Sequence, residues 1–223
     1  MKDAVPPSLP QRIALIGMSG VGKSHWSHQL ENLGYTRWSC DELIAEKMRD
    51  SGHPDLHSTR DLARWMGHPF EERYATATAT YLDWEDQVIV ELCRQLQHPE
   101  PTRVVVDTTG SLIYLAAERL QSLRRHARMV YLSTAPEQDA RMLETFLEDP
   151  KPVVWGESFC PEPQEPEEAA LERCYPKLLA ARRRAYTRLA HAVVDFPTQR
   201  CPGFSGTDFL ACIQAQLAAQ VFS

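Results

Sequence analysis

Short apolar runs alternate along the chain with stretches of three-to-four-residue periodicity, a pattern that predicts strands separated by helices. Five runs are apolar or rich in β-branched residues: Arg12–Gly17, Tyr35–Ser39, Arg103–Asp107, Met129–Leu132 and His191–Phe196. Runs without a polar face belong to strands covered on both sides, as in a parallel sheet. Helical spacing is predicted over Gly22–Leu33, Asp41–Asp50, part of Thr59–Trp65, a long segment ending near Leu96, Leu112–His126, Pro136–Leu147, Glu167–Ala190 and Thr207–Val221. In the first of these, Trp26, Leu30 and Leu33 share a face, and Asn32 with Gly34 supplies a stop signal. Strands alternating with helices, without an internal repeat, specify an α/β chain with a mostly parallel sheet. Ligands of such sheets bind at the carboxyl ends of the strands.

Two segments interrupt the alternation. One spans about 51–80 and holds Trp65-Met66-Gly67-His68-Pro69-Phe70 and the run Ala75-Thr76-Ala77-Thr78-Ala79-Thr80. The other, about 149–168, is rich in proline and acidic residues, a composition expected of a mobile loop and not of a packed element. Both leave the chain near the strand ends and are candidates for a substrate cover and a closing lid.

The loop after the first strand carries the clearest chemistry. Gly17-Met18-Ser19-Gly20-Val21-Gly22-Lys23-Ser24 fits G-x-x-x-x-G-K-[ST] between a strand and a helix, the context this phosphate-wrapping loop requires. Its backbone N–H groups and the helix N-terminus converge on phosphate oxygens. Lys23 is placed to reach the β- and γ-phosphates of ATP, and Ser24 to hold Mg²⁺.

Asp41 follows the second strand, where a carboxylate faces this loop and can orient or deprotonate an acceptor hydroxyl; the same position also suits a helix N-cap. Arg103–Asp107 ends in an Asp, as does a strand whose carboxylate supports Mg²⁺ through water. Thr108, Thr109 and Gly110 follow, and their hydroxyls and N–H groups are candidates for the acceptor pocket; the alternative is an ordinary turn capped by Ser111. Lys151 in the second segment is a candidate cation for the charge spread over a transferring phosphoryl group. Of Arg182, Arg183 and Arg184 on one helix, at most one or two can face a cleft.

Composition narrows the remaining classes. The chain has 223 residues, 43% hydrophobic and 24% charged, with net charge −6, as expected of one globular domain with no broad affinity for nucleic acid or an anionic membrane. No apolar stretch is long enough to span a bilayer. Met1 to Pro10, with one lysine and no apolar core, is expected to be a short disordered lead-in and not a signal peptide. The six cysteines show no C-x-x-C spacing and are expected to be free thiols in a cytoplasmic protein. The histidines lack metal-ligand spacing, the tryptophans fit core or pocket walls, and no N-K-x-D guanine-reading motif is present.

Taken together, these positions resemble the shikimate kinase family of P-loop phosphotransferases, within the nucleoside monophosphate kinase-like fold. The resemblance covers most of the chain and is strongest in patches. Asp41 matches the family's acceptor-contacting Asp. Asp149-Pro150-Lys151-Pro152-Val153-Val154 is similar to the lid motif R-P-L-L, with Lys151 in place of the arginine. Leu178 to Ala190 resembles L-x-x-x-R-x-x-x-Y-x-x-x-A, whose arginine, here Arg182, binds the substrate carboxylate. Arg200-Cys201-Pro202-Gly203 resembles the adenine-bordering R-N-P-G loop, and Arg141 falls near the family's other adenine-side arginine. Three positions depart. The family's G-G-G loop is Thr108-Thr109-Gly110; F-R-x-x-E is best matched by Tyr81-Leu82-Asp83-Trp84-Glu85, with Leu82 in place of a carboxylate-binding arginine; and the Asp two before Asp41 is Ser39. Arg73 is the nearest substitute arginine, at the wrong spacing.

The resemblance implies a three-layer α/β/α domain over residues 1–223 with a five-stranded parallel sheet in the order 2-3-1-4-5. It also implies transfer of the γ-phosphoryl of ATP to a hydroxyl of a small acceptor. The retained Arg182 points to an anionic acceptor, and the departures point to one other than shikimate. The alternatives are shikimate itself in an altered pocket, and a nucleotide-binding regulatory protein that no longer catalyses. Oligomeric state is left open.

Overall fold

The computed structural model describes residues 9–53, 58–98, 103–149 and 151–220. Most of the lead-in, part of the first interrupting segment, and Pro150 lie outside the described residues.

All five predicted strands form. They are β1 (Arg12–Ile16), β2 (Thr36–Ser39), β3 (Val104–Asp107), β4 (Arg128–Leu132) and β5 (Ala192–Val194). They pair in parallel in the order β2-β3-β1-β4-β5. Ile13 to Ile16 and Val104 to Val106 have no exposed surface, which explains their unbroken apolar runs.

The helices are α1 (Lys23–Glu31), α2 (Cys40–Asp50), α3 (Thr59–Met66), α4 (Tyr74–Gln97), α5 (Ala117–His126), α6 (Asp139–Glu148), α7 (Glu167–Leu189), α8 (Phe196–Gln199) and α9 (Gly206–Ala219). The connection β1→β2 crosses the sheet in one direction, and the later connections return in the other. Right-handed crossovers then place α1 on one face and α4, α5 and α7 on the opposite face. The return from β5 brings α9 beside α1, where Trp26 stacks on Phe209 with ring centroids 4.6 Å apart.

Four expectations change. Ala75–Thr80 belongs to the first turns of α4, where Thr80 Oγ1 donates to the Thr76 carbonyl and so satisfies its hydroxyl within the helix. Leu112–His126 and Pro136–Leu147 each begin as a separate 3₁₀ turn, Leu112–Tyr114 and Pro136–Gln138. The first break lets Leu112 and Leu115 enter the core. The last strand stops at Val194, because Asp195 accepts from Thr198 N and caps α8. Finally, the stretch 149–168 is packed at Val153, Val154 and Trp155, all buried. Burying three such side chains is worth about 2 kcal/mol each, which overrides the loop-like composition.

The register sets the site. Leu15 lies opposite Asp107, and Asp107 lies opposite Ser39. The loop after β1, the start of α2 and the end of β3 therefore emerge at one edge of the sheet.

Candidate active site

The loop after β1 has the shape its glycines predict. Gly17 has φ +147°, and a Cβ there would lie 2.8 Å from the Leu132 carbonyl oxygen. Gly22 is left-handed and precedes the first turn of α1 without a side-chain cap, which leaves the helix N–H groups free for an anion. Lys23 is buried beneath the loop, and its Nζ donates to the carbonyls of Gly17 (3.0 Å) and Met18 (2.9 Å). Burial lowers its pKa, while Asp107 and Asp41 act to keep it charged.

Ser39, and not Asp41, caps α2: its hydroxyl accepts from Glu42 N at 3.4 Å. Asp41 is thus released from the N-cap alternative and lies in the first turn of α2. Desolvation of the carboxyl raises its pKa, Lys23 lowers it and Asp107 raises it further. Asp107 is buried; Ser27 Oγ donates to it at 3.3 Å, and Arg37 Nη2 forms an ion pair with it at 3.8 Å. Arg37 also donates to Ser27 Oγ. Ser24 is exposed at the head of α1.

A cavity of about 630 Å³ opens over the loop. Met18, Ser19, Gly20 and Val21 form one wall, and Arg141, Lys151, Arg182 and Arg200 reach it from four other segments. Phe146, Tyr175, Leu178 and Phe196 add an apolar wall. An anion-binding loop beside an apolar wall suits a nucleotide, whose phosphates and base need opposite surroundings. Among the described residues, no cluster of three His, Cys, Asp or Glu side chains could hold a metal. The Ser24 hydroxyl and the Asp107 carboxylate are hard oxygen donors, the type that would suit a Mg²⁺ carried by nucleotide phosphates.

Several predicted residues lie elsewhere. Pro202 is exposed and does not line the cavity. Thr108 and Thr109 are buried and turn away from a pocket: Thr108 Oγ1 donates to the Leu15 carbonyl (2.7 Å), and Thr109 Oγ1 bonds Glu85. Gly110 of this turn approaches the loop, since a Cβ there would meet Ser19 N at 3.2 Å and Arg182 Nη1 at 3.3 Å. Ser111 takes the N-cap position of the Leu112–Tyr114 turn but makes no side-chain capping bond; its hydroxyl donates to Glu85. Lys151 pairs with Asp149, which also binds Arg60 of α3 at 2.8 Å. Arg73 pairs with Glu71 at 2.7 Å and lines a second cavity, between α3 and the stretch after α6, so it does not replace the missing arginine beside Arg182.

Arg182 is buried, and α7 carries it one turn before Tyr186, whose hydroxyl donates to the Gly110 carbonyl (2.5 Å). Arg182 Nη2 donates to the Val154 carbonyl (2.9 Å), its guanidinium lies over the Tyr114 ring, and its Nε has no partner.

Glu85, which the sequence placed at the glutamate of the F-R-x-x-E match without a role in the site, is fully buried on the inner face of α4 with Tyr81, Val88 and Ile89. A charged residue at core spacing in an apolar helix was the available signal. Burial pushes its pKa up to about 7, against the hydrogen bonds from Ser111 and Thr109. Folding therefore favours the protonated form. That stabilisation is complete below the ordinary carboxylate range and is lost as pH rises through about 7. Relative to Glu85→Gln, the wild type is expected to lose about 3 kcal/mol of folding stability over that window. Urea midpoints measured across pH would read this, and parallel curves would show that folding leaves the carboxyl's pKa unchanged.

Among the described residues, no helix is long and apolar enough to cross a membrane. A family model described as an AAA domain matches residues 13–153. The chain is 25% identical over 189 residues to Shikimate kinase 2 of Serratia proteamaculans, covering 84% of this chain and 87% of that protein. Its fold is similar to that of a shikimate kinase from Acinetobacter baumannii in complex with shikimate (TM-score 0.57, 22% identity, 97% of each chain). It is also similar to that of a shikimate kinase from Aquifex aeolicus (TM-score 0.55, 20% identity, 95% of this chain and 99% of the other). The match spans the phosphate-binding loop and β1 to β4, so the chain belongs to the AAA domain family, on a shikimate kinase-like P-loop fold.

Proposed function

We propose that the protein transfers the γ-phosphoryl of ATP to a hydroxyl of a small anionic acceptor other than shikimate, as a single cytoplasmic kinase domain. The observation that carries this reading is Arg182, a buried guanidinium beside the phosphate loop with an unpartnered Nε. A buried cation with an unmet donor favours an anion brought by a ligand. The relatives' shikimate carries a carboxylate and supports the same acceptor class. Leu82 in place of a second arginine favours a different member of it.

In the reaction the acceptor oxygen bonds to the γ-phosphorus, the bond from that phosphorus to the β-bridging oxygen breaks, and ADP leaves. Asp41 takes the acceptor's proton. Lys23 exchanges the Gly17 and Met18 carbonyls for phosphate oxygens, and Lys151 leaves Asp149 to join it. Ser24 would hold Mg²⁺, with Asp107 supporting it, and the ion would supply charge neutralisation. Arg141 and Arg200 border the nucleotide, and Arg182 with Gly110 seats the acceptor.

The test is ADP release from Mg-ATP across hydroxylated acids, sugars and nucleosides, shikimate included, with Lys23→Ala as blank. Lys23-dependent turnover with an anionic acceptor supports the reading. Preference for shikimate would replace the acceptor proposed here, and nucleotide binding without turnover would favour a regulatory protein. Arg182→Lys keeps the charge but loses the planar fork. It is expected to raise the acceptor KM about tenfold or more while the ATP KM changes less than about twofold. An equal rise in both would move Arg182 to the nucleotide side.

A further inference from the structure

Glu85 has no part in the chemistry above, yet it is the most thoroughly bridged carboxyl near the site. One oxygen accepts from Ser111 Oγ (2.6 Å), the other from Thr109 Oγ1, and the two hydroxyls lie 3.0 Å apart. Ser111 N donates to Thr109 Oγ1 at 3.2 Å and closes the turn on itself. Glu85 thus holds both residues that flank Gly110. From the opposite side, Tyr186 of α7 holds the Gly110 carbonyl.

We propose that Glu85 is a positioning residue of the acceptor site: by bridging Thr109 and Ser111 it fixes Gly110 against the phosphate loop and Arg182. The inference rests on the kinase reading for its functional consequence, but its geometry is independent of it. A purely structural role would be served by an apolar side chain, as at Val88 and Ile89 on the same face. A carboxyl buried among apolar neighbours is costly without a counter-ion. Here its hydrogen bonds come only from hydroxyls, and Arg182 acts on it through space. The turn it organises has little latitude. A Cβ on Gly110 would already crowd Ser19 N and Arg182 Nη1, so a small displacement of Gly110 changes the gap into which an acceptor must fit.

Glu85→Gln preserves the bridge, because its amide oxygen accepts from one hydroxyl while its NH₂ donates to the other. Glu85→Leu removes the bridge, and the pair Thr109→Val with Ser111→Ala removes it from the other side should the leucine variant fail to fold. Two readouts are taken on the full chain. Amide exchange over 109–111 is measured with Mg-ADP bound. KM values are measured for ATP and for the panel acceptor of highest turnover. With the bridge removed, exchange is expected to quicken about tenfold and the acceptor KM to rise about tenfold, with the ATP KM within about twofold, the scale of one or two lost hydrogen bonds to a buried carboxyl. Glu85→Gln should restore both. Unchanged exchange in a bridge-free variant that binds Mg-ADP overturns the proposal, as does an equal rise in both KM values. If no acceptor turns over with the wild type, the kinase reading fails, and exchange alone decides the role of Glu85.

Discussion

Lys23→Ala is expected to lower the rate of ADP formation by at least ~10³-fold, the scale of losing a preorganised charge aimed at a developing negative centre. Lys23 is poised for such a role. Its ammonium is buried and bonded only to two backbone carbonyls of the loop, interactions that phosphate oxygens can replace. Burial disfavours its charge, and Asp107 and Asp41 restore it from opposite elements. Truncation leaves the Gly17 and Met18 carbonyls without this donor, so Mg-ADP affinity should fall as well, measurable by calorimetry. Full turnover in the alanine variant would remove the phosphotransferase reading altogether.

The second large effect belongs to Asp41. Asp41→Asn is expected to reduce kcat about 10²- to 10⁴-fold, the range for a positioned general base, while the ATP KM stays close to the wild-type value. Desolvation and the neighbouring Asp107 raise the carboxyl's pKa, and Lys23 opposes them. A base acts only when deprotonated, so the acid limb of the pH–rate profile should rise through a pKa above that of an ordinary aspartate. The asparagine variant should lose that limb. If Asp41→Asn raised the acceptor KM and left kcat intact, Asp41 would be a binding group and the proton would go elsewhere.

The two sides of the cleft differed in how readable they were. The nucleotide side rests on contiguous residues, and the structure brings Met18, Ser19, Gly20 and Val21 to the cavity that Arg141, Lys151, Arg182 and Arg200 also line. The acceptor side was read less well. Thr108 and Thr109 suited a polar pocket by type, but the pleat and the short strand end direct their hydroxyls to Leu15 and Glu85. Asp41 looked equally suited to capping, and only the backbone at Ser39 shows which residue takes that place. The acidic, proline-rich stretch looked like a free loop. Its Val153-Val154-Trp155 core, a minority of its residues, is what packs.

Local pattern alone was enough for the parallel α/β architecture and the phosphate loop. Unbroken apolar runs require a doubly covered strand, and eight consecutive residues carry all the loop's chemistry. The environment of Glu85 and the unmet Nε of Arg182 were decided by tertiary structure. Each depends on α4, α7 and the turn after β3 meeting at one sheet edge. Spacing in α4 marks Glu85 for the core, but the partners found there are set by residues distant in the chain, which is why the bridge to Thr109 and Ser111 and the unpartnered Nε of Arg182 appear only in the tertiary structure.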